Sequence, residues 1–211
     1  MSIKIKRKDD WYILDLPRED YKVGTAVVIP KNQSVHVYQN GKYIGVCEHK
    51  GRRPLDKKFV KGIKKGLGAK TIKDVGLRFT HDDQAIVYTA KNKPLKKTDG
   101  KEIKINMVVK AVPFVDDMNV LDNFVVETNL RSDREGVLLY ISSFQKAMAN
   151  VIEQTLTECA SDLKTSFGKW NCPKADKAKG KDKDVVALLQ ERLNEMFYRL
   201  GMNAKLTFSA R

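Results

Sequence analysis

The chain has 211 residues, 42% of them hydrophobic, enough to bury a core as one large domain or two small ones, and its composition excludes intrinsic disorder. Forty lysines and arginines against 26 aspartates and glutamates give a formal charge of +14, which favours a polyanionic partner: nucleic acid, anionic lipid or an acidic protein. Apolar runs such as Ala26 to Ile29 and Val137 to Tyr140 fall far short of the roughly 18 residues that span a bilayer, so no transmembrane segment is expected.

Residues 1–22 read as an N-terminal arm. Met1 to Asp10 alternates lysines with two isoleucines and lacks the apolar stretch of a secretory signal, so a cytoplasmic location is expected. Trp11-Tyr12 with Ile13, Leu14 and Leu16 forms an aromatic segment expected to pack onto a sheet. Residues 23–116 carry strand patterns. Val23 to Ile29 is rich in β-branched residues and ends at Pro30. Ser34 to Gln39 and Lys42 to Cys47 flank Asn40-Gly41, the dipeptide best suited to a two-residue type I′ hairpin.

Next comes a basic stretch. Lys57, Lys58, Lys61, Lys64, Lys65, Lys70 and Lys73 form the candidate site for an anionic partner. Lysine outnumbers arginine there and Phe59 is the one aromatic among the lysines, which suits simple phosphate attraction better than base reading. Gly62 to Thr71 approaches a phosphate-binding loop. However, Lys64 and Ala69 stand where G-x-x-x-x-G-K-[ST] needs its glycines, so no phosphate cradle is expected. Phe59 to Lys73, with three glycines, reads as a short helix with a loop. A second hairpin runs from Gln84 to Ala90, turns at Asp99-Gly100 and returns along Glu102 to Val112. In it Ile103, Ile105, Met107, Val109 and Ala111 alternate with more polar neighbours.

Residues 117–211 read as helical, ending in a strand. Ser132-Asp133-Arg134-Glu135 has the form of a capping box. Behind it Leu138, Ile141, Phe144 (or Gln145), Met148, Ile152, Cys159 and Leu163 recur at helical steps for about eight turns. Lys169 to Lys183 reads as a polar connecting loop with a second lysine cluster. A helix from Val185 to Leu200 stops at Gly201, and Met202 to Phe208 then alternates as a half-buried strand.

Residues for catalysis are scattered. Cys47, Cys159 and Cys172 are odd in number without a C-x-x-C pair, and His36, His49 and His81 are widely separated. Free thiols, no metal and no cofactor are expected. Asp9-Asp10, Asp82-Asp83 and Asp116-Asp117 sit at turns, where aspartate bonds local backbone. Ser142-Ser143 falls inside a helix, away from any G-x-S-x-G elbow. No catalytic residue is expected, and the chain does not read as an enzyme.

Several of these features occur together in one family. The Pro30-Lys31-Asn32-Gln33 turn, the Asn40-Gly41-Lys42 hairpin, Gly51 to Leu55, and Val112-Pro113-Phe114-Val115-Asp116 follow in order. Leu189, Leu193, Leu200 and Gly201 then lead into the strand Met202 to Phe208. Over roughly Val23 to Ser209 this order resembles the SPFH domain of the stomatin, prohibitin and flotillin superfamily, nearest to its soluble, virion-core-protein-like branch. The resemblance implies a scaffold that self-associates, also with a larger family member, at a membrane or within a shell. Many members carry an N-terminal anchor and a long coiled coil after the last strand, and from these residues neither is expected. The expected fold is α+β: a mostly antiparallel, twisted sheet from the first half packed with two long helices from the second, closing on a C-terminal strand. The expected function is a non-catalytic assembly module that self-associates or docks on an anionic surface such as a membrane. The alternative is sequence-nonspecific nucleic-acid binding through the lysines.

Overall fold

The computed structural model describes residues 2–3, 10–16, 25–47, 50–54, 75–134 and 136–210. Strands β1 (Ser2–Ile3), β2 (Trp11–Leu16), β3 (Ala26–Ile29), β4 (Gln33–Gln39), β5 (Lys42–Cys47), β6 (Gly51–Pro54) and β7 (Val75–His81) come first. The long hairpin β8 (Ile86–Lys96) and β9 (Glu102–Val115) follows, then helix α1 (Met118–Glu127), strand β10 (Val137–Tyr140) and helix α2 (Ile141–Glu158). After these come β11 (Lys169–Asn171), a 3-10 turn at Ala175–Lys177, helix α3 (Lys181–Tyr198) and β12 (Met202–Ser209). The fold is α+β, with mostly antiparallel sheets, helices packed against sheet and a strand at the C-terminal end.

Two compact units interleave in sequence: Met1–Gln84 with Phe114–Ile141, and Ala85–Pro113 with Ser142–Arg211. The division expected from sequence, at residue 116, tracks the change from strand to helix pattern. The units track packing, and so place the β8–β9 hairpin with the later helices.

The first unit holds a five-stranded antiparallel sheet in the order β10-β2-β7-β4-β5, and a smaller sheet in which β3 lies between β1 and β6. At the β4–β5 turn Asn40 and Gly41 have φ of 52° and 74°, and Gln39 pairs directly with Lys42, the two-residue hairpin that the dipeptide favours. Register sets Leu14, Phe79 and Val35 abreast, and likewise Leu16, Leu77 and Val37. With Trp11, Val27, Ile29, Cys47, Val75 and Val137 they make one buried apolar core. The segment expected to lie on the sheet as an arm is β2, a strand within it, where Trp11, Tyr12 and Ile13 are no more than 2% exposed. Its aromatic and β-branched residues suit a strand covered on both faces.

In the second unit β9 hydrogen-bonds to β8, β11 and β12. Ile103, Ile105, Met107, Val109 and Ala111 are buried, as the alternation predicts. Helix α2 brings Phe144, Met148, Ile152 and Leu156 to the core, and α3 brings Val185, Val186, Leu189, Leu193 and Phe197. The rings of Phe144 and Phe197 stack at 6.0 Å between centroids. Gly201, at φ 65°, closes α3, and β12 starts at the next residue with Met202 and Phe208 buried and Asn203, Lys205 and Thr207 exposed.

Two expectations are corrected. The Ser132-Asp133-Arg134-Glu135 stretch, whose Glu135 lies outside the described residues, begins no helix: residues Val137–Tyr140 form β10, and α2 is an 18-residue helix starting at Ile141. Pairing of β10 with β2 outweighs the helical spacing of its apolar residues. Asp133 organises the turn instead, accepting from the Val137 amide at 2.9 Å and from the Tyr140 hydroxyl. Nor is Lys169 to Lys183 only a loop. It opens with β11, parallel to β9, and buries Trp170, whose indole N–H donates to Asp182 Oδ1 at 2.9 Å.

Candidate functional site

The lysines expected to bind an anionic partner, Lys57, Lys58, Lys61, Lys64, Lys65, Lys70 and Lys73, lie outside the described residues. So do His49 and the loop from Gly62 to Thr71.

The remaining reactive groups have local roles. Cys47 and Cys172 are buried and Cys159 half-buried, all three as free thiols. Burial, and then Asp182, push the Cys172 thiol up to about 12, and burial also raises Cys159. Both are protonated and weakly nucleophilic at neutral pH. Asp117 caps α1, accepting from the Asn119 amide at 2.8 Å. Asp82 accepts from Ser34 Oγ at 3.0 Å and Lys50 Nζ at 3.1 Å. Among the described residues, no three or more His, Cys, Asp or Glu side chains gather where they could hold a metal ion.

The densest polar cluster is in the first unit, on the sheet face opposite its apolar core. Register sets Asp15, Arg78 and His36 abreast on β2, β7 and β4. Arg78 forks onto Asp15, with Nε–Oδ1 2.6 Å and Nη2–Oδ2 3.1 Å, and reaches Asp122 of α1 through Nη1 at 2.6 Å. The same Nη1 lies 2.9 Å from the Tyr38 hydroxyl, which itself donates to Asp122 at 2.9 Å. Burial works against the guanidinium charge, but the hydrogen bond and charge of Asp15 outweigh it and raise the Arg78 pKa. Tyr38 is raised as well, chiefly by burial. Next to it His36 Nε2 bonds Thr80 Oγ1 at 3.1 Å, and Nδ1 is buried without a protein partner. The cluster is closed, because both carboxylates already face the guanidinium. Its chemistry is that of a clamp holding α1 to the sheet.

An open, charged region lies at one end of the second unit. Lys169 sits beside Lys104, the Lys104 amide donates to Gly168 O at 2.9 Å, and Thr98 Oγ1 meets Ser161 Oγ at 2.7 Å. These contacts join the β8–β9 turn to the connection between α2 and β11. Lys96, Lys101, Lys104, Lys164 and Lys169 are exposed there and Lys97 half-buried. Against them stand Asp99, 3.5 Å from Lys101, Glu102, and Asp182, whose Oδ1 accepts from the Lys164 amide at 3.2 Å, while Asp162 is held by Lys181. At the tip, Ser166 and Lys169 exchange two backbone hydrogen bonds of 2.9 Å around Phe167 and Gly168, at φ 51° and 69°. Phe167 is fully exposed, at 101%.

Among the described residues, no helix is long and apolar enough to cross a membrane. Compared with protein-family models and with curated proteins, the chain matches none.

Proposed function

We propose that the chain is a non-catalytic, SPFH-like assembly module in the cytoplasm that docks on an anionic surface and self-associates. The observation that carries this reading is the excess of positive charge at the end of the second unit, six lysines on two joined turns against Asp99, Glu102 and Asp182. Such a field attracts a polyanion without needing a shaped pocket. Self-association is supported by β5, which among the described residues pairs only with β4 and carries Tyr43, Ile44 and Val46 with Lys42 as its sole charge. An edge with few charges is a template for another strand. The SPFH likeness is supported by the Asn40-Gly41 hairpin and by the helix–Gly201–strand ending.

The docking is tested by co-sedimenting the full chain with vesicles of phosphatidylcholine, with and without phosphatidylserine, at low and high salt. Binding only to the anionic vesicles, weakening as salt rises, is expected. A chain that binds neither these vesicles nor duplex DNA at low salt contradicts the reading, and salt-sensitive shifts of duplex DNA alone would transfer the partner to nucleic acid.

A further inference from the structure

Phe167 is out of place by every local criterion. It occupies the first central position of a two-residue turn whose central residues both take positive φ, a position that asparagine or glycine fills without strain and a bulky side chain does not. Its ring touches no core and is fully in water. The tip is also fixed. The paired bonds of Ser166 with Lys169, and the bond from the Lys104 amide to Gly168 O, seat it on the end of the sheet. The positive φ of this bulky residue is strain that the local fold does not require, and it points to a role for the ring outside the fold.

Lys164 and Lys169 flank the Phe167 turn in sequence, Lys104 pairs with Lys169, and Lys96, Lys97 and Lys101 lie on the adjoining turn. We infer that this end of the second unit is a docking tip for an anionic lipid bilayer, Phe167 entering the interface while the lysines meet lipid phosphates. The inference rests on the docking function proposed above and names its surface and partner. A bilayer stacks an anionic layer directly over an apolar one, so one surface offers a partner both to the fully exposed ring and to the exposed lysines beside it in the fold. A nucleic-acid duplex presents the reverse problem: its apolar faces are stacked inside, so a single ring reaches them only by unstacking bases.

The experiment compares the full chain with Phe167→Asn, Phe167→Trp and the triple change Lys104→Gln, Lys164→Gln, Lys169→Gln. Vesicles of phosphatidylcholine alone and with about 30% phosphatidylserine are used, with duplex DNA in parallel. Phe167→Asn is expected to weaken partition to the anionic vesicles roughly 5- to 10-fold while its thermal midpoint equals or exceeds that of the parent. Phe167→Trp should retain binding. The triple change should lose the preference for anionic lipid. If Phe167→Asn binds the anionic vesicles as well as the parent does, the tip is overturned and the docking function stands. Parental binding to DNA but not to vesicles also overturns the tip. Absence of binding to both removes the docking function with it.

Discussion

Arg78 and Asp15, 63 residues apart, meet as a two-pronged ion pair across neighbouring strands, with Nε–Oδ1 2.6 Å and Nη2–Oδ2 3.1 Å. The Arg78 side chain is 9% exposed and also binds Asp122, so it holds two carboxylates and fastens α1 to the sheet. Arg78→Met should therefore destabilise the fold by about 3 kcal/mol, because Asp15 and Asp122 lose their counter-charge. Adding Asp15→Leu and Asp122→Leu should recover most of that loss. Urea unfolding of the single and triple variants checks both, and a triple variant less stable than Arg78→Met would show that the cluster is not self-contained.

His36 lies one strand away from that pair and gives the molecule an acid sensitivity. Burial, then the charge of Arg78, lower its pKa from the ordinary 6.5 to about 4, with Asp82 opposing and Lys50 assisting. Between pH 6.5 and 4 the unfolded chain holds a proton on this histidine that the native chain does not. Stability should thus fall by about 3 kcal/mol as pH drops through that window. His36→Gln should flatten the slope there, whatever its stability at neutral pH. Thermal midpoints measured for both proteins across the window decide it.

The thiols should separate by burial. With Cys172 shifted up to about 12 and Cys47 buried, alkylation at neutral pH should label Cys159 slowly and the other two only after unfolding. Mass spectrometry of native and urea-treated samples reads the pattern directly, and rapid labelling of Cys172 would contradict its burial.

Asn106 pins three strands of the second unit. Its Oδ1 accepts from the Asn92 amide at 2.8 Å, at the irregularity in β8, and its Nδ2 donates to Asn171 of β11 at 3.1 Å. Asn106→Ala removes both bonds and should cost about 1 to 2 kcal/mol in urea unfolding, since Asn92 and Asn171 are exposed and water can replace it. Asn171→Ala, which removes only the second bond, should cost less.

What could be read from sequence was local. Asn40-Gly41 writes its own turn, Gly201 its own helix end, and the alternation from Ile103 to Ala111 its buried face, because each signal fits within a few residues. The Arg78 cluster was not legible, since Asp15, Tyr38 and Asp122 reach it only through strand register and the docking of α1. The spacing from Leu138 onward fitted a helix as well as a strand, and pairing with β2 decided it for Val137–Tyr140. Trp170 was obscured by the lysines around it, though an isolated tryptophan in a polar stretch is itself a sign of local burial. Phe167-Gly168 carries its signal in plain sight, a bulky residue where a tight turn favours asparagine.

The claim on which the account depends is that this chain assembles. Size-exclusion chromatography with light scattering, over a range of concentrations at low and high salt, measures that directly. Species larger than the 24.0 kDa monomer that persist at high salt are predicted, because apolar edge pairing survives the screening that abolishes charge attraction. A 24.0 kDa monomer at every concentration and salt would contradict it.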